Sequence, residues 1–166
     1  MVDVEHCHLV GAYFSGAADL NFLQRLVDAG ARVRVPTTLN ASSACLATAS
    51  LSPKQDRDAA AQVIRLYEAM GCDAQLTCAP YHLPYRPGLG DRIAWAESNA
   101  VVFANAVLGA RSNRTVQYLD LCAALTGRIP EYGLYLDAMR APTCLSLIHI
   151  SEPTRLNSTS RMPSSA

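Results

Sequence analysis

The first third of the chain changes from a two-residue hydrophobic period to a helical one and back. Val2 to Val10 alternates loosely and is followed by Gly11, a pattern typical of a strand that enters a loop. Ser15 is expected to cap a helix that ends before Gly30, because the apolar positions between them recur at helical spacing. Arg32 to Val35 alternates again, and a proline stops it. These segments predict a strand, a helix and a strand within about 35 residues, the size of a βαβ unit.

The clearest helical pattern lies in the middle of the chain. Ser52, Pro53 and Gln55 match a capping box with proline at the first helical position. Apolar residues then recur every three or four positions up to Gly71, the expected C-cap. They are Ala59, Ala60, Val63, Ile64, Tyr67 and Met70. The short segment Ala74 to Thr77 is predicted as the next strand.

Two further helices are predicted over Val101 to Leu108 and Val116 to Leu125, each followed by a glycine. The alternation of helices with strands, without internal repeats, predicts an α/β fold with a parallel or mixed sheet. Ligands of such folds gather in the loops that follow the carboxyl ends of the strands. Three residues occupy such positions: Gly11, Asn40 and Cys78.

Composition narrows the possible partners. Fourteen basic residues balance 14 acidic ones, so there is no electrostatic reason to expect a nucleic acid or an anionic membrane as partner. No apolar run approaches the roughly 18–20 residues that span a bilayer, and residues 1–5 carry acids where a secretion signal carries bases. We therefore expect a cytoplasmic protein.

The six cysteines form no CxxC pair, and reduced thiols are expected. Cys78 is followed by Ala-Pro, which stiffens the loop and suits a thiolate that is held out as a metal ligand. Spacing alone allows the alternative of an inert buried thiol. The inert interpretation is preferred for the following cysteines: Cys7, Cys45, Cys72 and Cys122, the last of which is expected within an apolar helix face.

Other candidate residues also allow two interpretations. Glu97 and Ser98 lie where a helix is expected to begin, so they either cap free N–H groups or act chemically, Glu97 by moving a proton and Ser98 by holding an oxyanion. Pro36 to Asn40 reads as a hydroxyl- and amide-rich turn, with binding of a polar ligand as the alternative. His6 and His8 share one face of a strand and are expected to be ordinary structural residues.

The composition changes abruptly after Thr143. Residues 145–166 are rich in Ser, Thr, Pro and Arg and show neither hydrophobic period. One interpretation is a disordered polar tail.

The other interpretation of this tail rests on a likeness to laboratory sequence. LSLIHISEPTR matches the translation of a transposase-type sequencing adapter, and SRMPSSA resembles the primer that follows it, with a gap of index size between them. Residues 144–166 are then an artefact, and residues 1–143 are one partial domain of a longer protein. Met1 is then itself an internal residue of that protein. His149 and Glu152 are accordingly excluded as site residues.

Several separate stretches, in order, resemble the catalytic region of the aconitase X family. They are VRVPTTLN from Val33, TCAPY from Thr77, IAWAESNAVVFAN from Ile93, LGAR from Leu108 and ALTGR from Ala124. The likeness runs from about His8 to Gly133.

The resemblance implies an aconitase-like three-layer α/β domain and a hydro-lyase that dehydrates a small hydroxy acid. Iron or an iron–sulfur cluster would act as Lewis acid, because hydroxide is a poor leaving group. Cys78 would be one metal ligand, and Glu97 and Ser98 would face the substrate or the cluster. The substrate pocket would be lined by Gly11, Ala12, Tyr13, Asn40 and Ala41. The partner would be a small swivelling aconitase X subunit or domain, and the remaining iron ligands are expected beyond this chain.

The chain departs from the phosphomevalonate dehydratase branch of that family, which has Gly-Val-Ser in the first loop and proline after the asparagine. Here those positions read Gly11-Ala12-Tyr13 and Asn40-Ala41. The difference favours a dehydratase of the cis-3-hydroxy-L-proline type, with the phosphomevalonate large subunit as the alternative. A hypothesis of another class is a non-catalytic α/β binding domain in which Cys78 is a core thiol. The two classes differ in whether Cys78, Glu97, Ser98 and Asn40 share one cleft.

Overall fold

Short parallel strands and longer helices alternate in the computed structural model, which describes residues 1–10, 14–42 and 53–141. The helices are α1 (Ala17–Asp28), α2 (Lys54–Ala69), α3 (Ser98–Phe103) and α4 (Leu119–Thr126). The strands are β1 (Val2–Asp3), β2 (Cys7–Leu9), β3 (Thr37–Leu39), β4 (Ala94–Trp95) and β5 (Arg128–Ile129). This element order confirms the predicted α/β class.

The central sheet is parallel, with β2 between β3 and β4. Cys7 is paired with Thr37 on one side and with Ala94 on the other. All residues of these three strands are buried, as expected for parallel strands that are covered on both faces. A separate antiparallel pair joins β1 to β5 and brings the start of the chain next to residues 128–129.

The two faces of the sheet contact different hydrophobic cores. Cys7 and Leu9 of β2 pack with side chains of α1, α2 and α4. Ile93 and Trp95 instead pack with Ala100 and other small residues of α3 and of the segment after it. Helices therefore cover both faces, which is the predicted three-layer arrangement.

Two irregular segments extend the sheet at its edges. The segment that begins at Asp73 runs beside β3, because the Asp73 N–H donates to the Thr37 carbonyl and the Asp73 carbonyl accepts from the Leu39 N–H. The segment that begins at Arg111 runs beside β4, since the Arg111 carbonyl accepts from the Ile93 N–H at 3.0 Å. Five chain segments therefore run parallel and side by side, in the order 73–77, β3, β2, β4, 111–113.

The predicted strand over residues 32–35 is wrong. Its Val33 N–H donates to the Met70 carbonyl after α2, and the N–H of its neighbour Arg34 donates to α4. The alternation arises because valines pack against the core while arginines face solvent. The strand is β3 instead, so the turn expected over Pro36 to Asn40 is mostly strand. Ala74 to Thr77 likewise forms no regular strand, although Thr77 N–H donates to the Leu39 carbonyl.

The predicted helices are present with shifted ends. The N-cap of α1 is Gly16 and not Ser15, whose N–H donates to Asp19 in the first turn. The N-cap of α2 is Pro53, without a side-chain capping bond, and Ser52 lies outside the described residues. The third helix begins early, at Ser98, and continues as a π-helix, whereas the fourth begins late, at Leu119. In residues 1–10, 14–42 and 53–141, no helix has the length and apolar character needed to cross a membrane.

Candidate functional site

The predicted site residues that the structure describes follow the ends of adjacent parallel segments. Asn40 follows β3, Glu97 follows β4, and Cys78 follows the segment that runs beside β3. Because all these segments run in the same direction, their ends lie on one edge of the sheet, where ligands of α/β folds gather. We call this edge, with Asn40, Cys78, Glu97 and Ser98, the carboxyl-edge cluster.

Asn40 and Glu97 are in direct contact. The Asn40 Nδ2 donates a hydrogen bond to the Glu97 Oε2, and the Asn40 Oδ1 accepts from the Ala41 N–H at 2.7 Å. Asn40 is buried and Glu97 is half-buried, so the amide holds the carboxylate from the inner side. Glu97 occupies the N-cap of α3 but makes no capping bond with its side chain. The interpretation of Glu97 as a simple helix cap therefore does not hold.

Ser98 is exposed beside Glu97 and meets a residue from a distant part of the chain. Arg114 Nη1 donates to Ser98 Oγ. Arg114 follows segment 111–113, so it reaches the same edge from the far side of β4. The carboxyl-edge cluster thus has a cation on one side and an oriented carboxylate in its middle.

Cys78 is exposed, which excludes the interpretation of a thiol in the hydrophobic core. Its loop is held by Thr77 Oγ1, which accepts from the Ala79 N–H at 3.0 Å. The Asn99 side chain donates to the Cys78 carbonyl at 3.0 Å, and Tyr81 stacks on Phe103 with ring centroids 4.1 Å apart. Both contacts attach the cysteine loop to α3. The loop that carries the thiol and the helix that carries Ser98 are therefore one connected unit.

Gly11, Ala12 and Tyr13 lie outside the described residues, but a residue on either side of them is held by the side chain of an aspartate. Asp120 Oδ2 accepts from the Val10 N–H at 2.9 Å, and Asp19 Oδ2 accepts from the Ser15 N–H at 3.0 Å. Asp120 is almost fully buried, and this burial raises the pKa of its carboxyl. Its backbone partners oppose that rise by stabilising the charged form.

The two histidines are buried at β2. His8 Nδ1 shares a hydrogen bond with Thr38 Oγ1 at 2.8 Å, and Trp95 Nε1 donates to His6 Nδ1 at 3.1 Å. Tyr85 stacks on His6 with centroids 4.3 Å apart. Burial lowers the pKa of both histidines to about 4, so both are neutral at physiological pH.

The other cysteines differ in exposure. Cys7 and Cys72 are buried as predicted, and burial raises the pKa of the Cys72 thiol to about 12. The placement of Cys122 within an apolar face was wrong, since α4 buries Leu121 and Ala123 and turns Cys122 to solvent. Cys45 lies outside the described residues.

The described residues fit one ligand of an iron site but not a complete set. Cys78 presents an exposed thiol, whereas no three His, Cys, Asp or Glu side chains gather for a metal ion within the described ranges. A cavity of about 340 Å³ lies elsewhere, beside Thr37 and Thr38, with Asp73, Gln75 and Tyr85 in its wall. None of the cluster residues lines that cavity.

Sequence reasoning missed Arg114 and Asn99 as members of this edge. Ser112-Asn113-Arg114 is polar and follows a glycine-terminated helix, so its pattern is that of an ordinary loop. Only the backbone bonds of Arg111 with Asp91 and Ile93, just before β4, reveal it as an added parallel segment with an end at the edge. In the sequence, the run of polar residues from Ser112 to Arg114 was the one sign that this loop could belong to a site.

The chain is similar in sequence to known dehydratases. The chain is 45% identical over 142 residues to a cis-3-hydroxy-L-proline dehydratase of Pseudomonas aeruginosa, which covers 84% of this chain and 24% of that protein. It is 41% identical over 150 residues to a cis-3-hydroxy-L-proline dehydratase of Hypocrea jecorina, with 89% and 25% covered. It is 38% identical over 147 residues to a phosphomevalonate dehydratase large subunit of Thermococcus kodakarensis, with 87% and 36% covered.

The fold comparison leads to the same group of proteins. The crystal structure of Thermococcus kodakaraensis aconitase X in its holo-form superposes with a TM-score of 0.75 at 38% identity, over 83% of this chain and 34% of that one. The chain spans about a quarter of the length of the hydroxyproline dehydratases that it matches. The profile of the aconitase X first domain matches residues 1–138. Sequence, fold and profile together show that the chain belongs to the aconitase X family.

Proposed function

We propose that this chain forms part of the active site of an iron-dependent hydro-lyase that dehydrates a small hydroxy acid of the cis-3-hydroxy-L-proline type. One observation carries the proposal: Asn40 holds the Glu97 carboxylate across two loops that are 57 residues apart in sequence. A hydro-lyase needs a base for a C–H proton, and a carboxylate held in one orientation beside an exposed hydroxyl suits that task. Glu97 is the proposed base, with Asn40, Ala41 and the loop 11–13 lining the substrate pocket.

Cys78 is the proposed iron ligand in this part of the enzyme. Its thiol is exposed and its loop is attached to α3, as expected of a ligand that must be held in position. When bound, the iron centre would supply the Lewis acid for the departing hydroxide. The other ligands would come from the rest of the enzyme.

The identities of the relatives support the hydroxyproline type over the phosphomevalonate type. The two hydroxyproline dehydratases are 45% and 41% identical, against 38% for the Thermococcus large subunit. Another large subunit, from Aeropyrum pernix, reaches 40%, so the margin is small. Ala41 and Tyr13, which stand where the phosphate-substrate branch differs, supply the additional argument.

A small partner subunit or fused domain is also proposed. The name "large subunit" of the phosphomevalonate dehydratases implies a smaller companion. The matched region is a smaller share of the hydroxyproline dehydratases than of those large subunits, so the former are longer chains. We therefore propose that the companion is fused in the complete protein of which this chain is part.

The test uses the protein encoded by the complete reading frame that contains residues 1–143. We expect it to dehydrate cis-3-hydroxy-L-proline and to contain iron. Glu97→Gln should lower kcat by at least about a hundredfold, the low end of what a general base contributes, while iron content stays unchanged. Cys78→Ser should lower both iron content and activity.

The matched control for the cysteine is Cys122→Ser, because both thiols are exposed but only Cys78 lies on the carboxyl edge. This variant should keep iron and activity. Dehydration of phosphomevalonate alone would replace the proposed substrate with the alternative. An iron-free, inactive complete protein would favour the non-catalytic binding domain.

A further inference from the structure

Arg114 carries a guanidinium group that the structure leaves without a carboxylate partner in the described ranges. Its side chain is exposed and donates through Nη1 to Ser98 Oγ. Two other arginines of the described ranges do form ion pairs, Arg111 with Asp137 and Arg128 with Asp3. A guanidinium has five N–H donors in a planar fork, so most donors of Arg114 remain available on the carboxyl edge.

The backbone in front of Arg114 is held firmly on both sides. Ser112 is fully buried, and its Oγ accepts from the Trp95 N–H of β4 at 3.1 Å. Asn113 Nδ2 donates to the Tyr132 carbonyl at 2.7 Å, and Asn113 Oδ1 accepts from the Leu134 N–H at 2.8 Å. An arginine that follows such an anchored pair starts from a fixed backbone position. From that position the guanidinium reaches the carboxyl edge, where it donates to Ser98 Oγ.

The position of this cation beside Glu97 matches the chemistry of the proposed substrates. Cis-3-hydroxy-L-proline and phosphomevalonate are both 3-hydroxy carboxylic acids. Loss of water from such an acid removes the proton from the carbon that bears the carboxylate, because that C–H is the acidic one. A carboxylate held by Arg114 and Ser98 would place this carbon next to Glu97, the neighbour of Ser98 in the chain.

We propose that Arg114, together with the Ser98 hydroxyl, binds the carboxylate of the substrate. This inference rests on the proposed hydro-lyase function and deepens it by naming the group that is recognised. Arginine suits the task because its fork matches the two carboxylate oxygens. Arg114 is then a substrate-binding residue that orients the acidic C–H towards Glu97.

The experiment compares two ligands that lack the 3-hydroxyl and so cannot be dehydrated. L-Proline has the carboxylate, and L-prolinamide has a neutral amide in its place. Inhibition constants for both are measured in the complete protein, in Arg114→Gln and in Arg114→Lys. We expect L-proline to bind the wild type better than L-prolinamide, and Arg114→Gln to weaken L-proline about 10- to 100-fold while L-prolinamide changes little.

The lysine variant separates charge from structure. Arg114→Lys keeps a cation, so it should retain part of the preference for L-proline that Arg114→Gln loses. Arg65→Gln is the matched control, since Arg65 is an exposed arginine on α2 and should leave both constants unchanged. Loss of the preference in both variants, or its full retention in Arg114→Gln, would overturn the inference.

Failure of this inference can be told apart from failure of the proposed function. A wild-type enzyme that dehydrates cis-3-hydroxy-L-proline while Arg114→Gln keeps the preference overturns the role of Arg114 alone. A wild-type protein that dehydrates neither hydroxy acid overturns both proposals. If it dehydrates only phosphomevalonate, 5-phosphopentanoate and its amide replace the proline pair, with the same expectations.

Discussion

At the scale of single residues, the carboxyl-edge cluster depends on one amide that uses both ends of its side chain. Asn40 donates to Glu97 with its nitrogen and accepts from Ala41 with its oxygen. The amide is buried, so neither bond is exchanged easily for a bond to water. The orientation of the Glu97 carboxylate therefore depends on a residue from another loop.

Removal of this amide should reduce catalysis more than stability. Asn40→Ala leaves Glu97 without its donor, and a hydrogen bond to a charged group contributes about 1.5–3 kcal/mol. We expect kcat/KM of the complete enzyme to fall roughly 10- to 100-fold. Asn21→Ala, an exposed asparagine on α1, is the control and should have no effect. Unchanged kcat/KM in Asn40→Ala would contradict the orienting role.

The buried histidines predict a dependence of stability on pH. The folded protein holds the pKa of His8 at about 4, whereas the unfolded chain binds the proton near the ordinary value of 6.5. The stability that neutral His8 contributes is therefore fully present above about pH 6.5 and is lost as the pH falls towards 4. At about 1.4 kcal/mol per pKa unit, His8 should contribute about 3 kcal/mol to this loss.

The measurement is urea unfolding of the 166-residue chain at pH 7 and pH 4. His8→Gln removes the titrating ring, so its stability should fall less over this range than that of the wild type. His6 still contributes in the same direction, and Asp120, whose raised pKa favours folding at low pH, contributes in the opposite one. Both groups are present in both proteins, so the difference between the two reports the contribution of His8, including its repulsion by His6. Equal losses would show that His8 is not buried as a neutral ring.

At the scale of elements, helix ends are defined by glycines where the sequence predicted them. Gly109 follows the π-helical segment Ala104–Leu108 with φ of 70°, and Gly127 ends α4 with φ of 69°. Both lie in the left-handed region, which costs other residues about 1–2 kcal/mol. Gly127 also directs the chain into β5, which pairs with β1 near the start of the chain.

Substitution at Gly127 should destabilise the fold by a predictable amount. Gly127→Ala places a Cβ in the left-handed region, and we expect the free energy of unfolding to fall by about 1–2 kcal/mol. Gly88→Ala is the control, because Gly88 does not lie in that region, and it should change stability by less than about 1 kcal/mol. Urea unfolding of the 166-residue chain measures both variants. Equal effects would remove the conformational explanation.

At the scale of the whole molecule, we propose that the chain supplies one layer of contacts to a site that other parts of a longer enzyme would complete. It spans 24% of the Pseudomonas relative and 36% of the Thermococcus large subunit. The carboxyl-edge cluster is open, because Cys78 and Ser98 are exposed, as is the neighbouring Asn99. A ligand at this edge would be enclosed on one side alone by the described residues.

The purified 166-residue chain is therefore expected to be inactive as a dehydratase. Among the described residues, Cys78 is the exposed thiol on the carboxyl edge, and a single thiol cannot hold an iron–sulfur cluster that needs several ligands. We expect reconstitution with iron and sulfide to give no stable absorption band, and neither hydroxy acid to be dehydrated. The complete protein serves as the positive control. A stable cluster on the 166-residue chain would contradict the need for further ligands.

The sequence by itself determined the α/β class, the body of α2 and the glycine ends of two helices. These features follow from local periods and from backbone conformations that glycine alone adopts easily. Local pattern also marked Asn40, Glu97, Ser98 and Cys78 as candidates. Their roles came from the resemblance to a family, and they remain predictions.

Only the tertiary structure decided which residues meet. Val33 and Val35 alternate with arginines as in a strand, yet the strand begins at Thr37, because the backbone partners that make a strand lie far away in sequence. The contacts of Asn40 with Glu97 and of Ser98 with Arg114 likewise join residues that are distant in sequence. They depend on the parallel order of five segments, and a hydrophobic period records only which side of a segment is buried.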